Sequence, residues 1–290
     1  MNFQFNKNRK LNLLAATLFV LSLGACNTGS QPKAESLPDS TKIVSLNGAI
    51  SEVLAGIGLD KNIVGTDVTS NYPENLKSKP KVGHNRNINA EGILALQPNL
   101  IIAAKKDITP AISAQFKAAG VKLLLLDQEF SADGTKKIIH TLADSLHLQA
   151  KGDSLAKILD TDLAAVKPVT KKTKVLFIYA RGAGTMMVGG TGTQVETAIK
   201  LAGGQNAVTE FADYKPLTAE ALVKANPDVI LLFDSGLQSL GGIPGVVKIQ
   251  GVKETNAGKN KRIISMDGEL LGSFGPRLGI AIQELATKLN

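Results

Sequence analysis

Tryptophan is absent from this chain of 290 residues, cysteine occurs once, and aromatic residues make up only 4% of it. The single cysteine, Cys26, excludes a disulfide within the chain. No arginine-rich run occurs, and no aromatic residues are interleaved among basic ones. The formal charge of +8 therefore lacks the patterning of a nucleic-acid binder. Catalytic signatures are missing as well: the sequence has no Gly-x-Ser-x-Gly elbow, no His-Glu-x-x-His and no Walker loop. Gly182-Ala-Gly184 starts like a dinucleotide fingerprint but lacks its third glycine, and Gly189-Gly-Thr-Gly192 has no acidic partner at the required spacing. These glycines read instead as a tight passage from strand to helix that exposes backbone amides. An enzyme is not expected.

What is present begins with an address. Lys7, Arg9 and Lys10 precede an apolar run over 11–23, which ends in Leu23-Gly24-Ala25-Cys26. Residues 1–26 thus read as a secretory signal peptide, and the tetrapeptide resembles the bacterial lipobox, in which the cysteine is acylated and becomes the mature N-terminus. An uncleaved anchor, or ordinary cleavage beside a stray cysteine, is the other reading. Residues 27–41 are rich in Ser, Gly, Pro, Gln and Lys, the composition of a flexible tether. The leader's three cations account for part of the net charge, and the remainder is spread along the chain, which suits a membrane-proximal site or an anionic ligand.

An internal echo organises the rest. Ala90-Glu91-Gly-Ile-Leu-Ala-Leu-Gln-Pro98-Asn-Leu-Ile-Ile is answered by Ala219-Glu220-Ala-Leu-Val-Lys-Ala-Asn-Pro227-Asp-Val-Ile-Leu. Each copy reads as a short helix with Glu in its first turn, a proline that stops it, and a buried strand of branched residues. One supersecondary unit used twice implies two similar halves with a cleft between them. Apolar runs at 42–46, 63–65, 100–103, 122–126, 174–179, 229–233 and 262–266 are the expected strands, alternating with helical patterns as parallel α/β sheets require. Two helical patterns, 132–146 and 150–166, follow one another without a strand between them. The second is long enough, at about 25 Å, to cross from one half to the other. The expected architecture is α/β: two lobes, each a mostly parallel sheet flanked by helices, joined by one long helix. The expected boundaries are 42–147 for the first lobe, 148–170 for the linking helix and 171–290 for the second lobe.

These features resemble the substrate-binding proteins that serve ABC importers for siderophores, cobalamin and haem. The resemblance extends over essentially all of the mature length. It rests on Lys42-Ile-Val-Ser-Leu with Ser51-Glu52-Val-Leu, on Val82-Gly83 leading into Asn89-Ala-Glu91 and Pro98, and on Leu217-Thr-Ala-Glu220 leading into Asn226-Pro-Asp. The chain is most similar to the haemin-binding branch, through Gly83-His84-Asn85-Arg86, Val175-Leu-Phe-Ile-Tyr179-Ala-Arg181-Gly182, Met187-Val-Gly-Gly190, Ala202-Gly-Gly-Gln-Asn206-Ala and Leu271-Gly-Ser-Phe-Gly-Pro-Arg277. The resemblance implies a membrane-anchored lipoprotein on the periplasmic or extracytoplasmic face. It would carry haem, iron protoporphyrin IX, in its cleft to an ABC permease dimer with its ATPase, and so serve iron uptake. A ferric siderophore or cobalamin is the alternative cargo.

The resemblance also implies roles for residues. Haemin-binding relatives commonly place a Tyr where this chain has His84, and some pair a first-lobe His with a second-lobe Tyr followed by Arg at the spacing of Tyr179 and Arg181. His84 and Tyr179 are thus the expected axial iron ligands. Ferric iron is a hard cation that favours phenolate oxygen, and a guanidinium beside the phenol stabilises the anion. Tyr179 capping a buried strand, with Arg181 in a surface ion pair, is the bland reading. Arg86 and Arg277 are candidates for the haem propionates, since guanidinium forks suit carboxylates. Tyr72 and Met187, with Met186, are candidates for the pocket lining. Glu91 and Glu220 match the carboxylates that meet permease arginines in relatives, although both also favour their own helix N-termini. His140 and His147 fall on the polar side of an amphipathic helix and are not expected to bind metal.

Overall fold

In the computed structural model, which describes residues 37, 38, 40–84 and 87–290, the first apolar runs form β1 (Ile43–Ser45), β2 (Ile63–Thr66), β3 (Leu100–Ala104) and β4 (Lys122–Leu126). They make one parallel sheet in the order β2-β1-β3-β4. The crossovers carry α1 (Gly48–Gly56), α2 (Ala90–Leu94) and α3 (Pro110–Ala118). Each is started by a side chain, Asn47, Asn89 or Thr109, that accepts amides of the first turn. The two successive helices follow as α4 (Ala132–Ser145) and α5 (Gln149–Ala164). They pack closely because Gly152 lacks a side chain: a Cβ there would lie 2.4 Å from the Ala143 Cβ. The leader, Cys26 and Arg86 lie outside the described residues.

The second sheet is mixed. Its elements, in chain order, are β5 (Lys174–Ala180), β6 (Met186–Gly189), α6 (Gln194–Leu201), β7 (Gln205–Asn206), β8 (Tyr214–Pro216), α7 (Ala219–Ala225) and β9 (Val229–Phe233). They are followed by α8 (Asp234–Ser239), α9 (Gly242–Val247), α10 (Asn256–Lys259), β10 (Ile263–Met266), α11 (Gly268–Gly272) and α12 (Leu278–Leu289). β10, β9 and β5 run parallel, with β7 parallel to the start of β5, while β6 runs antiparallel to both β5 and β8. The passage expected from strand to helix at Gly182-Ala-Gly184 is therefore a strand-to-strand turn. Gly182, at φ +72°, reverses the chain so that Tyr179 pairs with Met187. The helix comes only after the second glycine-rich stretch.

One apolar core serves both sheets. Ile43, Ile63 and Ile102 enter it from the first sheet, and Val175, Phe177, Val229 and Leu231 enter it from the second. The residues alternating with them, Leu176, Ile178, Ile230 and Leu232, face a separate core on the far side of the second sheet. Helices α1, α4, α5, α6 and α12 also contribute to this core, and the linking helix α5 packs on α4 and α12. The echoed units occupy equivalent places, α2 before β3 and α7 before β9, each ended ahead of its proline.

The lobes are also joined by a polar seam. After β10, the chain of α11 and the turn before α12 lies against the first lobe. Glu269 accepts from the Asn71 and Tyr72 amides, at 2.9 and 3.1 Å to Oε1. Gln128 Nε2 donates to the Ser273 carbonyl at 3.1 Å, and Thr135 Oγ1 donates to that of Phe274 at 2.9 Å. The Phe274 ring stands edge-on to Phe130, centroids 5.5 Å apart. At the centre, Arg277 donates Nε and Nη2 to the two oxygens of Glu52, at 3.0 and 2.6 Å, with Glu52 only 4% exposed. Gly275 leaves room for this fork, since a Cβ there would lie 3.1 Å from Glu52 Oε2. Burial pushes the Glu52 carboxyl above its ordinary value, against the pull of Arg277. Burial likewise raises Glu269, with the neighbouring Glu52 charge adding to it, while the Asn71 and Tyr72 amides pull the other way.

Removing one partner of such a pair leaves a buried charge without compensation. Arg277→Ala is expected to lower the unfolding free energy by about 3–5 kcal/mol, read by urea denaturation at neutral pH. Arg277→Lys recovers only part, because an ammonium cannot form the fork. The pH dependence follows from the raised carboxyls. Their protonated forms are favoured in the native state, so their contribution is complete below pH 4.5 and is lost as pH rises through the raised values. Glu269→Gln keeps an acceptor but does not titrate, so the fall in stability from pH 4.5 upward should be shallower in this variant than in the parent.

Candidate functional site

The seam residues Asn71, Gln128, Glu269 and Ser273 all follow strand carboxyl ends: Asn71 after β2, Gln128 after β4, Glu269 and Ser273 after β10. Their contacts bring the carboxyl edge of the first sheet against that of the second, the place where open α/β sheets bind ligands. On the first edge, the loop after β2 is braced from beneath. Asp67, fully buried, accepts from the Thr69 amide at 3.2 Å and from the hydroxyls of Thr69 and Ser70. Ser51 Oγ lies 2.8 Å from the hydroxyls of both Ser45 and Ser70. Lys81 Nζ donates to Thr66 Oγ1, the Ser70 carbonyl and the Leu76 carbonyl, at 3.0, 2.6 and 3.2 Å. Burial holds the Lys81 ammonium below its ordinary pKa, with Asp67 opposing.

This brace presents Val68 and Tyr72, each 44% exposed. The Tyr72 ring lies on the Arg277 guanidinium, whose carbon is 3.5 Å from the ring centroid. Arg277 is thus engaged by Glu52 and Tyr72 together. His84 follows directly: the Val68 amide donates to the Gly83 carbonyl at 2.9 Å, and the Asn87 amide to the His84 carbonyl at 2.8 Å. The imidazole is half-buried on this edge.

On the second edge, Tyr179 is the penultimate residue of β5 and points to the shared-core face, half-buried. Phe233 and Tyr214 stand edge-on to its ring, with centroids 6.3 and 6.5 Å away. The Arg181 guanidinium carbon is 5.6 Å from the Tyr179 centroid, and Arg181 itself is exposed. Met187, its register partner on β6, and Met186 are half-buried. Sequence reasoning paired Tyr179 with Arg181 and put Tyr72 at the loop, but it missed Phe233, Tyr214 and Val68, and gave no role to Glu52 or Glu269. The wall formed by Phe233 and Tyr214 depends on which strands are neighbours, and no local pattern reports that.

Glu91 and Glu220 are exposed in the first turns of α2 and α7, and neither forms an ion pair among the described residues. His140 lies 3.5 Å from Asp153 on an exposed face, and His147 is exposed. Among the described residues, no group of three or more His, Cys, Asp or Glu is placed to hold a bare metal ion, and no helix is long and apolar enough to cross a membrane. Two surface grooves have volumes of about 530 and 430 Å³. The larger runs between α5 and α12, past Asp162 and Ile280, and the smaller between the 181–185 turn and the α8–α9 region. Neither is lined by His84 or Tyr179.

The chain is similar to solved structures across this whole arrangement. It is 38% identical to the periplasmic heme-binding protein RhuT from Roseiflexus sp. RS-1 in apo form, covering 86% of this chain and 98% of that one, with a TM-score of 0.83. It is 34% identical to the periplasmic heme-binding protein BhuT in complex with two hemes, covering 86% and 97%, with a TM-score of 0.81. By sequence it is 29% identical to the uncharacterized ABC transporter substrate-binding lipoprotein YvrC of Bacillus subtilis (strain 168), over 86% of this chain and 79% of that one. It is 23% identical to the vitamin B12-binding protein of Vibrio parahaemolyticus, over 84% and 87%. A family model described as periplasmic binding protein matches residues 43–270. With that span, and with two α/β lobes meeting at their carboxyl edges, the chain belongs to the periplasmic binding protein family, whose members here are substrate-binding proteins of transport.

Proposed function

We propose that this protein captures ferric haem between its two lobes and delivers it to the permease of an ABC importer, catalysing nothing itself. The observation that carries the reading is the pairing of Tyr179 with Arg181 at the carboxyl edge of the second sheet. A phenol walled by Phe233 and Tyr214 offers the hard oxygen donor that ferric iron favours over softer cargo metals, and the Arg181 guanidinium carbon lies 5.6 Å from the ring centroid. His84, on the loop of the first edge, is the second axial ligand. Tyr72, Val68 and Met187 cover the porphyrin. Arg86 and Arg277 meet the propionates, with Arg277 adding such a contact to its Glu52 fork. The names of the two structural neighbours, both heme-binding, support haem as the cargo.

Glu91 and Glu220 form the contact with the permease. They are exposed carboxylates at equivalent places in the two lobes, suited to one basic partner in each half of a two-fold permease. Anchoring through an acylated Cys26 on the extracytoplasmic face completes the reading, supported by the lipoprotein named among its relatives. Cobalamin is the second reading, favoured by relatives named as vitamin B12-binding.

Optical titration of the purified mature chain with ferric haemin, and in parallel with cobalamin and a ferric siderophore, tests the cargo. A saturable Soret shift is expected with haemin. Binding of cobalamin or the siderophore without a haemin shift overturns the haem reading. Arg181→Ala should weaken haemin binding about 10–100-fold, as removal of a group supporting a metal ligand does, and Tyr179→Ala should remove the ferric-phenolate absorption altogether. For the docking surface, reversal of both carboxylates, Glu91→Lys with Glu220→Lys, should abolish haem-dependent stimulation of the transporter's ATPase in proteoliposomes and leave haemin binding intact. Unchanged stimulation removes these residues from the interface.

A further inference from the structure

The 181–185 turn that carries Arg181 has almost nothing packed against it. A Cβ added at Gly182 or Gly184 would meet no atom within 4 Å, and on one side Ala183 and Met186 border the groove of about 430 Å³. Its internal hydrogen bonds, Arg181 N to the Thr185 carbonyl at 2.9 Å and Thr185 N to the Gly182 carbonyl at 3.3 Å, define its shape but not its position. The β5–β6 ladder, ending at the Ala180–Met186 pair, sets the base of the turn, and α8 adds a tether beyond it. The Gly182 amide donates to Ser239 Oγ at 2.9 Å, and Ser239 Oγ donates to the Gly236 carbonyl at 2.8 Å. Among the described residues this is the hydrogen bond that ties the turn to another element.

Ser239 can reach the turn because of the residue one helical turn before it. Gly236 lies against the end of β5, where a Cβ would be 3.3 Å from the Ala180 carbonyl oxygen, a tight contact that glycine spares as α8 approaches. Residues three apart share a helix face, so Gly236 and Ser239 form one contact surface, glycine for approach and serine for the bond. The helix is in turn set by β9, whose last residue, Phe233, walls Tyr179. The Tyr179 ring and the Arg181 guanidinium are thus both placed through the β9–α8 junction.

We propose that Ser239, aided by Gly236, is a positioning residue that holds the 181–185 turn so that the Arg181 guanidinium stays over the Tyr179 ring. It touches neither iron nor porphyrin, and acts through the turn. The inference rests on the reading of Tyr179 as an iron ligand. Loss of the bond frees the turn, loosens the Arg181 guanidinium from the Tyr179 ring and speeds release of the cargo.

The test compares the parent with Ser239→Ala and Ser239→Thr, each of the full mature chain. Ser239→Ala should raise the haemin dissociation rate about threefold to tenfold, the equivalent of one hydrogen bond, and shift the ferric-phenolate charge-transfer band. Ser239→Thr, which keeps the hydroxyl, should restore both, and circular dichroism should show all three folded. A readout without haem stands beside these: hydrogen exchange at the Gly182 amide should quicken in Ser239→Ala and not in Ser239→Thr. Parent-like dissociation, band and Gly182 exchange in a folded Ser239→Ala overturn the positioning role while leaving the haem reading in place. Failure of the parent itself to bind haemin overturns the haem reading, and with it this inference.

Discussion

The buried fork between Glu52 and Arg277 is the constraint on which the rest of this structure depends. Glu52 comes from α1 at the base of the first lobe, and Arg277 from the turn that enters α12. A carboxylate and a guanidinium taken out of water cost each other's hydration, so the pair is weak evidence for net stability. What it supplies is registry. A buried carboxylate is best satisfied where the guanidinium fork meets it, and the bonds from Glu269, Gln128 and Thr135 lie around that meeting point. The same guanidinium carries the Tyr72 ring on its face, so one side chain meets both the Glu52 carboxylate and the loop after β2.

Two different kinds of order hold the molecule together. Away from the carboxyl edges, both sheets and the helices α5 and α12 share one apolar core. At the edges the contacts are polar, few and specific. The 181–185 turn stands out there, since a Cβ at Gly182 or Gly184 would meet no atom within 4 Å.

Much of the frame was legible in the sequence. The echo of Ala90-Glu91 and Ala219-Glu220 announced two lobes, and the prolines Pro98 and Pro227 marked where helix gives way to strand. The strand runs at 122–126 and 229–233 were read to the residue, because continuous branched apolar runs bounded by polar turns have few other fates. The antiparallel strands β6 and β8 were missed. Met186–Gly189 and Tyr214–Pro216 are short and lie beside glycine-rich or polar stretches, and their strand character comes from pairing with β5 and with each other rather than from their own pattern. The turn before β6 was misread for the same reason, since glycine permits reversal into either strand or helix. At the site, the Tyr179 and Arg181 pair could be seen because it is local. The roles of Glu52, Glu269 and Phe233 could not, because each depends on a partner from another element.

The most direct measurement is diffraction from crystals of the haem-loaded protein at the iron absorption edge, which locates the iron without reference to the chain. The account predicts one strong anomalous peak between the two carboxyl edges, within bonding distance of the Tyr179 phenol oxygen and facing His84. Iron in the groove beside α12, or on the outer surface of either lobe, would contradict it.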